Sequence, residues 1–553
     1  MDAKVEKVRK VCFKTYDQDQ ALLVPVKVES YVPEGHLGRI VNEVVERIAI
    51  EDLMAFYPGG GRSAYHPKMM IKVWLYGYCT GVYTSRRLAK ALRENLVMIW
   101  LSGNQQPNFK TLSEFRGSKM QGLVDGVFET LLKILVERGY VDLGDLYVDG
   151  SKWEANANRH KVVWRSNTER YKGQVLERIK GFLEEIKALQ REEDDRYGEG
   201  DLLEVGQGQT VEVVMTSQYV QESIVAIQAL ASAEGDKARA AKMCGVAKKL
   251  EKEREKLEKY EGQEEVLGNR NSYSRTDEDA TAMRLKDGLL RPAYNVQHST
   301  NNQYIVNFTV TQRHSDSVTF IGHMEKWGER LGGMEGEQTR SVTADAGYGS
   351  EENYAYLEGR GMEAYVKYPL WHQEHTGELQ QKKFAKENWA YDAHKRCYTC
   401  PAGRTLWYQE TLQDKTENGY AREVEVFECE SCQGCPLREQ CIKSDNPDAN
   451  RTVRHSIKGE EYKQTAKALL DSEAGKEHRS ARSIEVESAF GDIKYNAKHD
   501  RFLLRGKEKV YVEYGLLAMA HNIRKMYCLE SGCWRDYYAQ RASKKGEKML
   551  KRA

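Results

Sequence analysis

Between residues 141 and 367 the hydrophobic period switches repeatedly between two and about 3.6. This alternation limits the chain to a sheet with helices packed on its faces. Val141–Asp149 predicts a strand, as do Ala293–Ser299, Tyr304–Thr311, Ser341–Asp345 and Glu363–Lys367, with a turn around Asn301-Asn302. Helical spacing occupies about 316–331 and returns between the last two strands. Two segments interrupt the pattern. About 168–265 is helical and heavily charged, with one stripe at Val175, Ile179, Phe182 and Ile186 and another over 248–260, which predicts an inserted helical hairpin resembling a coiled-coil arm. Residues 370–475 are polar, cysteine-rich and weakly periodic, and helices resume near Ser483. The order predicts an α/β chain built on a mixed sheet.

Ahead of the first strand the spacing is helical. Pro67-Lys-Met-Met-Ile-Lys-Val-Trp starts with Pro at a first helical position, Gly81 to Ser85 reads as a turn, and Ser85 reads as the cap of a second helix with Leu88, Leu92 and Leu96 on one face. The 84 Lys+Arg nearly balance the 83 Asp+Glu, but the charge is uneven. Residues 59–119 hold ten basic and two acidic residues, and 535–553 seven against two. Such blocks suit a polyanionic partner. Two short helices with a basic first turn fit a helix-turn-helix-like DNA reader, in which Lys68, Lys72, Arg86, Arg87, Lys90 and Arg93, together with the tail Arg535–Arg552, would meet phosphates. A purely structural helical bundle is the alternative. The longest apolar runs, such as Leu516–Ala520, are far shorter than the roughly 20 residues of a membrane helix. The charged start lacks an apolar stretch behind it, so a cytoplasmic protein is expected. There is no GxxxxGK[ST] loop, which argues against nucleotide-driven activity.

Two acids, Asp149 and Asp345, are read as standing where strands end, each followed closely by glycine. Ligands of open α/β sheets gather at such ends, and glycine lets a ligand approach the backbone. A third candidate is helical. Val486, Phe490, Ile493 and Ala497 repeat as a core stripe. Glu487 lies about 100° round from it, with Gly491 and Lys494 on the same flank, and Glu485 on the other flank beside Asp492. A carboxylate, an open surface and a lysine suit a metal with a phosphate beside it. Three carboxylates on a mixed sheet match the chemistry of Mg²⁺ (or Mn²⁺), a hard ion. Two such ions roughly 4 Å apart can drive an in-line displacement at phosphorus.

Six of the eleven cysteines crowd into 397–441. Without an export signal this favours metal over disulfides. A Cys₄ structural Zn²⁺ site is expected from Cys397 and Cys400 with Cys432 and Cys435, Cys429 and Cys441 being alternatives for the second pair.

Several motifs carry a resemblance. They are Tyr65-His-Pro…Tyr76-Gly-Tyr…Ser85-Arg-Arg-Leu; Asp149-Gly-Ser-Lys-Trp-Glu-Ala-Asn-Ala-Asn; Ser274-Arg-Thr-Asp-Glu-Asp-Ala; Ala344-Asp-Ala-Gly-Tyr-Gly; Arg482…Val-Glu487…Phe-Gly-Asp-Ile-Lys494; and Arg501-Phe…Arg505-Gly. In this order they resemble an insertion-sequence DDE transposase, nearest the IS1182 group of the broader IS4/IS5-like assemblage. The resemblance implies an RNase H-like core, with Asp149, Asp345 and Glu487 as the metal-binding triad and Lys494 contacting DNA near the cleaved bond. Arg482, Arg501 and Arg505 would contact DNA, and Glu154, Asn156 and Asn158 would support the site or position DNA. The family's arginine stands four residues before the Glu, where this chain has Ser483.

The implied domains are an all-α DNA-binding domain at 1–138, the core at 139–167 with 290–369 and 476–530, a helical insertion at 168–289, a zinc-ribbon-like insertion at 370–475, and a basic tail at 531–553. The implied activity is Mg²⁺-dependent cleavage at terminal inverted repeats and joining of the 3′-hydroxyl to target DNA. Its partner is double-stranded DNA, its assembly a homodimer on that DNA, and its location the bacterial nucleoid. The alternatives are a domesticated, non-catalytic DNA-binding protein and an RNase H-like nuclease without strand transfer.

Overall fold

The computed structural model describes residues 27–49, 51, 64–197, 215–334, 338–444 and 446–532, for 190–197 the backbone alone. The basic tail Arg535–Arg552 therefore lies outside the described residues. The chain divides into two compact units, residues 1–113 with 526–553, and residues 114–525. Among the described residues no helix is long and apolar enough to cross a membrane.

In the first unit the helices include α1 (Leu37–Glu46), α2 (Pro67–Cys79), α3 (Ser85–Glu94) and α4 (Leu96–Leu101). Helix α2 is buried along nearly its whole length, including Trp74, whose Nε1 donates to Leu112 O at 3.1 Å. Helix α3 buries only Leu88 and Leu92. Its cap is Thr84, whose Oγ1 accepts from Arg87 N, so Ser85 is the first helical residue and not the cap. Leu96 does not extend the stripe either. Asn95 ends α3 and caps α4 by accepting from Met98 N at 3.0 Å, and the restart turns Leu96 outward.

The second unit begins with α5 (Met120–Glu137), which packs on the sheet through Phe128 against Phe308. The elements that follow are β1 (Asp145–Glu154), β2 (Val162–Trp164), α6 (Arg165–Tyr197), α7 (Ser217–Ala233), α8 (Lys237–Leu267), β3 (Ser272–Ser274), β4 (Thr281–Arg284), β5 (Leu290–Asn301), β6 (Tyr304–Thr311), α9 (Asp316–Leu331), β7 (Ser341–Ala344), α10 (Glu351–Gly359) and β8 (Glu363–Val366). Strand β5 pairs on one side with β4 and β6, both antiparallel, and on the other with β1; β7 and β8 then run parallel to β1. The strand order β6-β5-β1-β7-β8 makes a mixed sheet consistent with an RNase H-like DDE core.

The charged insertion is three helices, not a hairpin. Val175, Ile179 and Ile186 of α6 share a core with Ile224 and Ile227 of α7 and Leu250 and Leu257 of α8. Helix α7 escapes a charge-based reading because it is the least charged of the three. Strand β4, which falls inside the segment read as insertion, joins the main sheet.

The cysteine-rich segment is also more ordered than its pattern predicts. It is a five-stranded antiparallel sheet of β9 (Ala390–Asp392), β10 (Cys397–Thr399), β11 (Thr405–Lys415), β12 (Ala421–Cys429) and β13 (Thr452–His455). Strand β11 is largely exposed, so no apolar alternation betrays it. Three helices complete the unit: α11 (Ile457–Asp471), α12 (Glu473–Gly491) and α13 (Lys507–Glu530).

Candidate active site

Asp149 does not end a strand. Antiparallel pairing with β5 runs from Tyr147 to Glu154 and carries β1 straight through Gly150, overriding the turn that Asp-Gly suggests. What ends is the parallel neighbour. Tyr147 pairs with Thr343 and β7 stops at Ala344, so by register Asp149 and Asp345 stand side by side, on one face, just past the end of β7. Their closeness is measured by Arg482 of α12. Its Nη2 lies 3.1 Å from Asp149 Oδ1 and 3.4 Å from Asp345 Oδ2, one positive nitrogen shared by two carboxylates. Asp345 Oδ1 also accepts from Gly347 N at 2.9 Å, and Asp149 Oδ1 from Gly150 N at 2.9 Å. Burial pushes the Asp149 carboxyl up to about 6, with Arg482 opposing the shift and Asp345 adding to it.

Helix α12 lies across this face. Val486, Phe490 and Ile493 are buried as the stripe predicts, whereas Ala497 is only half-buried, beyond the widened turn Asp492–Asn496. His478 reaches Tyr147 Oη at 3.3 Å and Thr343 Oγ1 at 3.2 Å, anchoring the helix above β1 and β7. Glu485 accepts from Gln303 N, which ties it to the β5–β6 turn, away from the two aspartates. The exposed side chain of Glu487 has no hydrogen-bond or ion-pair partner among the described residues. The structure thus brings Asp149 and Asp345 together but does not bring Glu487 to them. Among the described residues no three His, Cys, Asp or Glu side chains are arranged to hold a metal ion. The pair itself fits a hard divalent cation in donor chemistry, and the shared guanidinium nitrogen marks a place where one positive charge meets both carboxylates.

Lys494 follows the same flank. Its Nζ donates to Ser151 Oγ at 2.7 Å and Lys152 O at 3.0 Å and sits 3.8 Å from the centre of the Trp153 ring. Burial, with Lys286 adding, lowers it to about 7. For a bound phosphate that needs this ammonium, the contribution is complete well below pH 7 and fades as the pH rises through about 7 and the free protein loses the proton. Lys494→Met should therefore weaken DNA-end binding about tenfold at pH 6 and much less at pH 9. A constant ratio across that range, measured at fixed salt, would remove the lysine's charge from the contact.

The basic residues divide by what already holds them. Lys68 Nζ lies 3.3 Å from Glu46 Oε2, and Lys72 pairs with the same carboxylate. Arg86, Arg87, Lys90 and Arg93 project into solvent from α3, Arg86 over the Phe109 ring and Lys90 only 3.7 Å from Glu94. Arg501 donates to Ala155 O at 3.2 Å and Ala157 O at 3.3 Å, and Arg505 to Asn156 O at 2.7 Å. Both arginines pin the chain that leaves β1. Asn156 returns a bond to Leu503 O at 2.6 Å, Glu154 pairs with Arg291 at 2.8 Å, and Asn158 caps the turn at His160 N. The acids of the Ser274 motif are also structural. Asp277 accepts from Tyr294 Oη at 2.9 Å and Gly506 N at 3.0 Å, and Asp279 from Lys507 N at 2.8 Å, so together they seat the start of α13.

Five of the six clustered cysteines gather round one cavity. A cavity of about 20 Å³ is lined by Cys400, Cys429, Cys432, Cys435 and Cys441, but not by Cys397. Cys397 lies in β10, and Tyr398, its neighbour, faces the Phe427 core; alternation turns Cys397 to the other side. Cys400 comes after the strand, where Gly403 N bonds back to its carbonyl at 2.8 Å and redirects the chain.

Residues 399–527 match the family described as a transposase DDE domain, a span that includes Arg482, Glu487 and Lys494. Residues 26–118 match a second family, described as a transposase domain, which covers α1 to α4. No curated protein matches the chain. Asp149 and Asp345 fall outside both spans, and it is the sheet register that joins them to the matched α12. A transposase domain at the N-terminal helices and a DDE domain ending in α13 indicate an insertion-sequence DDE transposase, an architecture consistent with the IS1182 group.

Proposed function

We propose that this transposase binds the terminal inverted repeats of an IS1182-type element, cuts a phosphodiester bond there and joins the freed 3′-hydroxyl to target DNA. The observation that carries the reading is the in-register pair Asp149 and Asp345 at an open strand end, beneath the helix that bears Arg482 and Glu487 and runs into the widened turn that bears Lys494. Asp149, Asp345 and Glu487 would hold divalent cations. When bound, such ions lower the pKa of the attacking water and offset charge on the leaving oxygen. The chain's own residues do the rest. Arg482 keeps the two aspartates facing one point, and Lys494, neutral in part near pH 7, takes up a proton as a phosphate approaches. The exposed Arg86, Arg87, Lys90 and Arg93 of α3 would meet DNA phosphates, an attraction that falls steeply with salt. Pairing two ends calls for a homodimer on the DNA, in the bacterial nucleoid.

The test mixes purified full-length protein with a labelled duplex carrying the element's end, target DNA and Mg²⁺. Cleavage with joining is expected. Binding without cleavage would select a non-catalytic DNA-binding protein, and cleavage without joining a nuclease.

The cysteine cavity is proposed to hold one structural Zn²⁺ through Cys400, Cys432, Cys435 and Cys441, with Cys429 as the alternative fourth thiolate. Purified protein is expected to carry about one zinc per chain by elemental analysis. Cys432→Ser should lose it and Cys397→Ser should keep it; the reverse order would return Cys397 to the ligand set.

A further inference from the structure

The register that sets Asp149 beside Asp345 continues one strand further. Strand β8 runs parallel to β7 with Tyr365 opposite Thr343 and Val366 opposite Ala344, and Lys367 N still donates to Ala344 O at 3.3 Å. Two rows of side chains therefore cross β1, β7 and β8 on the face under α12. In the first, Tyr147, Thr343 and Tyr365 all meet His478, the two tyrosine rings at 5.9 and 4.2 Å and the threonine hydroxyl at 3.2 Å. In the second, two residues on, Asp149 and Asp345 are followed by Lys367.

Lys367 does not turn to the carboxylate beside it. Its Nζ lies 4.8 Å from the centre of the Trp371 ring, and the guanidinium carbon of Arg479, on α12, lies 4.9 Å from the same ring. All three side chains are half-buried. Neither cation has a carboxylate partner among the described residues, and the Lys367 ammonium makes no hydrogen bond there. Arg479 uses only Nε, which donates to Gly475 O of its own helix at 3.3 Å, so the two ends of its fork have no partner among the described residues. The acids close by are already taken. Glu374, on the short helix Trp371–Thr376, accepts from Tyr368 Oη at 2.6 Å and pairs with Lys463 at 3.0 Å and Lys467 at 3.3 Å, while Asp149 and Asp345 share Arg482. Burial holds the Lys367 ammonium below the usual lysine range, and Arg482 and Arg479 lower it further against the pull of Asp345. A cation over an aromatic ring is ordinary packing. Two cations on one ring repel each other, and an anion between them would relieve both.

We infer that Lys367 and Arg479 form a phosphate subsite on the β8 side of the aspartate pair, which takes a backbone phosphate of the element's end next along the strand from the bond being cut. One non-bridging oxygen meets the guanidinium fork and the other the ammonium. The subsite rests on the transposase reading above and adds to it the direction of the bound strand, from the aspartates toward β8.

The test mixes full-length protein with a labelled duplex carrying the element's end in EDTA, so that binding is read without cleavage. Lys367→Gln and Arg479→Gln should each weaken binding about three- to tenfold and make the plot of log affinity against log salt shallower by about one. Lys367→Arg keeps the charge and should keep the wild-type slope, with thermal melting by circular dichroism reporting the fold of every variant. A second arm needs no variant. Wild-type lysines are acetylated with acetic anhydride and mapped by mass spectrometry, and the duplex should slow the labelling of Lys367 about fivefold where inorganic phosphate at about 10 mM does not. Folded glutamine variants with the wild-type slope, or Lys367 labelled equally fast with and without the duplex, would overturn the subsite and leave the transposase reading standing. Protection by phosphate alone as strong as by the duplex would make this a site for the free ion and overturn it as well. No binding of the duplex by wild type would overturn that reading and the subsite with it.

Discussion

Asp149→Asn and Asp345→Asn are each expected to lower DNA cleavage by about 10³-fold or more while binding of the element's end stays within about threefold of wild type. Asparagine keeps the size of the side chain and one acceptor oxygen, so Asp149 can still accept from Gly150 N and Asp345 from Gly347 N. What is lost is the negative charge that a divalent cation requires, together with the ion pair to Arg482. The basic face of α3, proposed above to meet DNA phosphates, is untouched, which is why binding should persist. Glu487→Gln belongs in the same series. Its side chain is exposed and has no partner among the described residues, so its loss should leave the fold alone, and any loss of cleavage would come from the assembled complex. Single-turnover cleavage with matched binding curves separates these outcomes. Cleavage retained in any one variant removes that residue from the site.

Trp153→Ala should destabilise the catalytic unit by about 3–5 kcal/mol, the range for emptying a fully buried aromatic site. Trp153 has no exposed surface, and its ring meets Phe490 of α12, Phe502 in the connection that follows, and Tyr514 of α13, with centroids 5.4, 6.2 and 5.4 Å away. Its Nε1 donates to His499 O at 2.8 Å, and Lys494 lies over its face. One side chain thus holds α12 and α13 to the strand that carries Asp149. Trp153→Phe keeps most of the packing and should cost about half as much, the remainder being the lost N–H donor and the smaller ring. Denaturant unfolding of both variants measures the difference. An alanine variant within about 1 kcal/mol of wild type would mean that α12 is held by other contacts, with Asp492 and its partners Arg524 and His521 the next to examine.

The legible part of the chain was the part governed by local periodicity. The strands from β5 to β8 and helix α9 followed from alternation and helical spacing, and so did the buried Val486, Phe490 and Ile493 stripe. The failures share a cause, since each depended on a partner distant in sequence. Asp149 reads as the end of a strand because Asp-Gly is a turn signal, yet β5, some 150 residues further on, holds β1 straight. Cys397 reads as half of a CxxC pair, yet the extended backbone of β10 turns it away from Cys400. Lys68 and Lys72 read as free charge until Glu46 of another helix reaches them.

By itself the sequence determined which residue types were on hand, where each helix and strand would start to form, and, through the ordered motifs, the kind of enzyme this is. Only the tertiary structure decided which acids meet. Side-chain direction in a strand depends on register, and register depends on pairing across long stretches of chain. The same fold that set Asp149 beside Asp345 therefore also kept Cys397 out of the cavity that the other five clustered cysteines line.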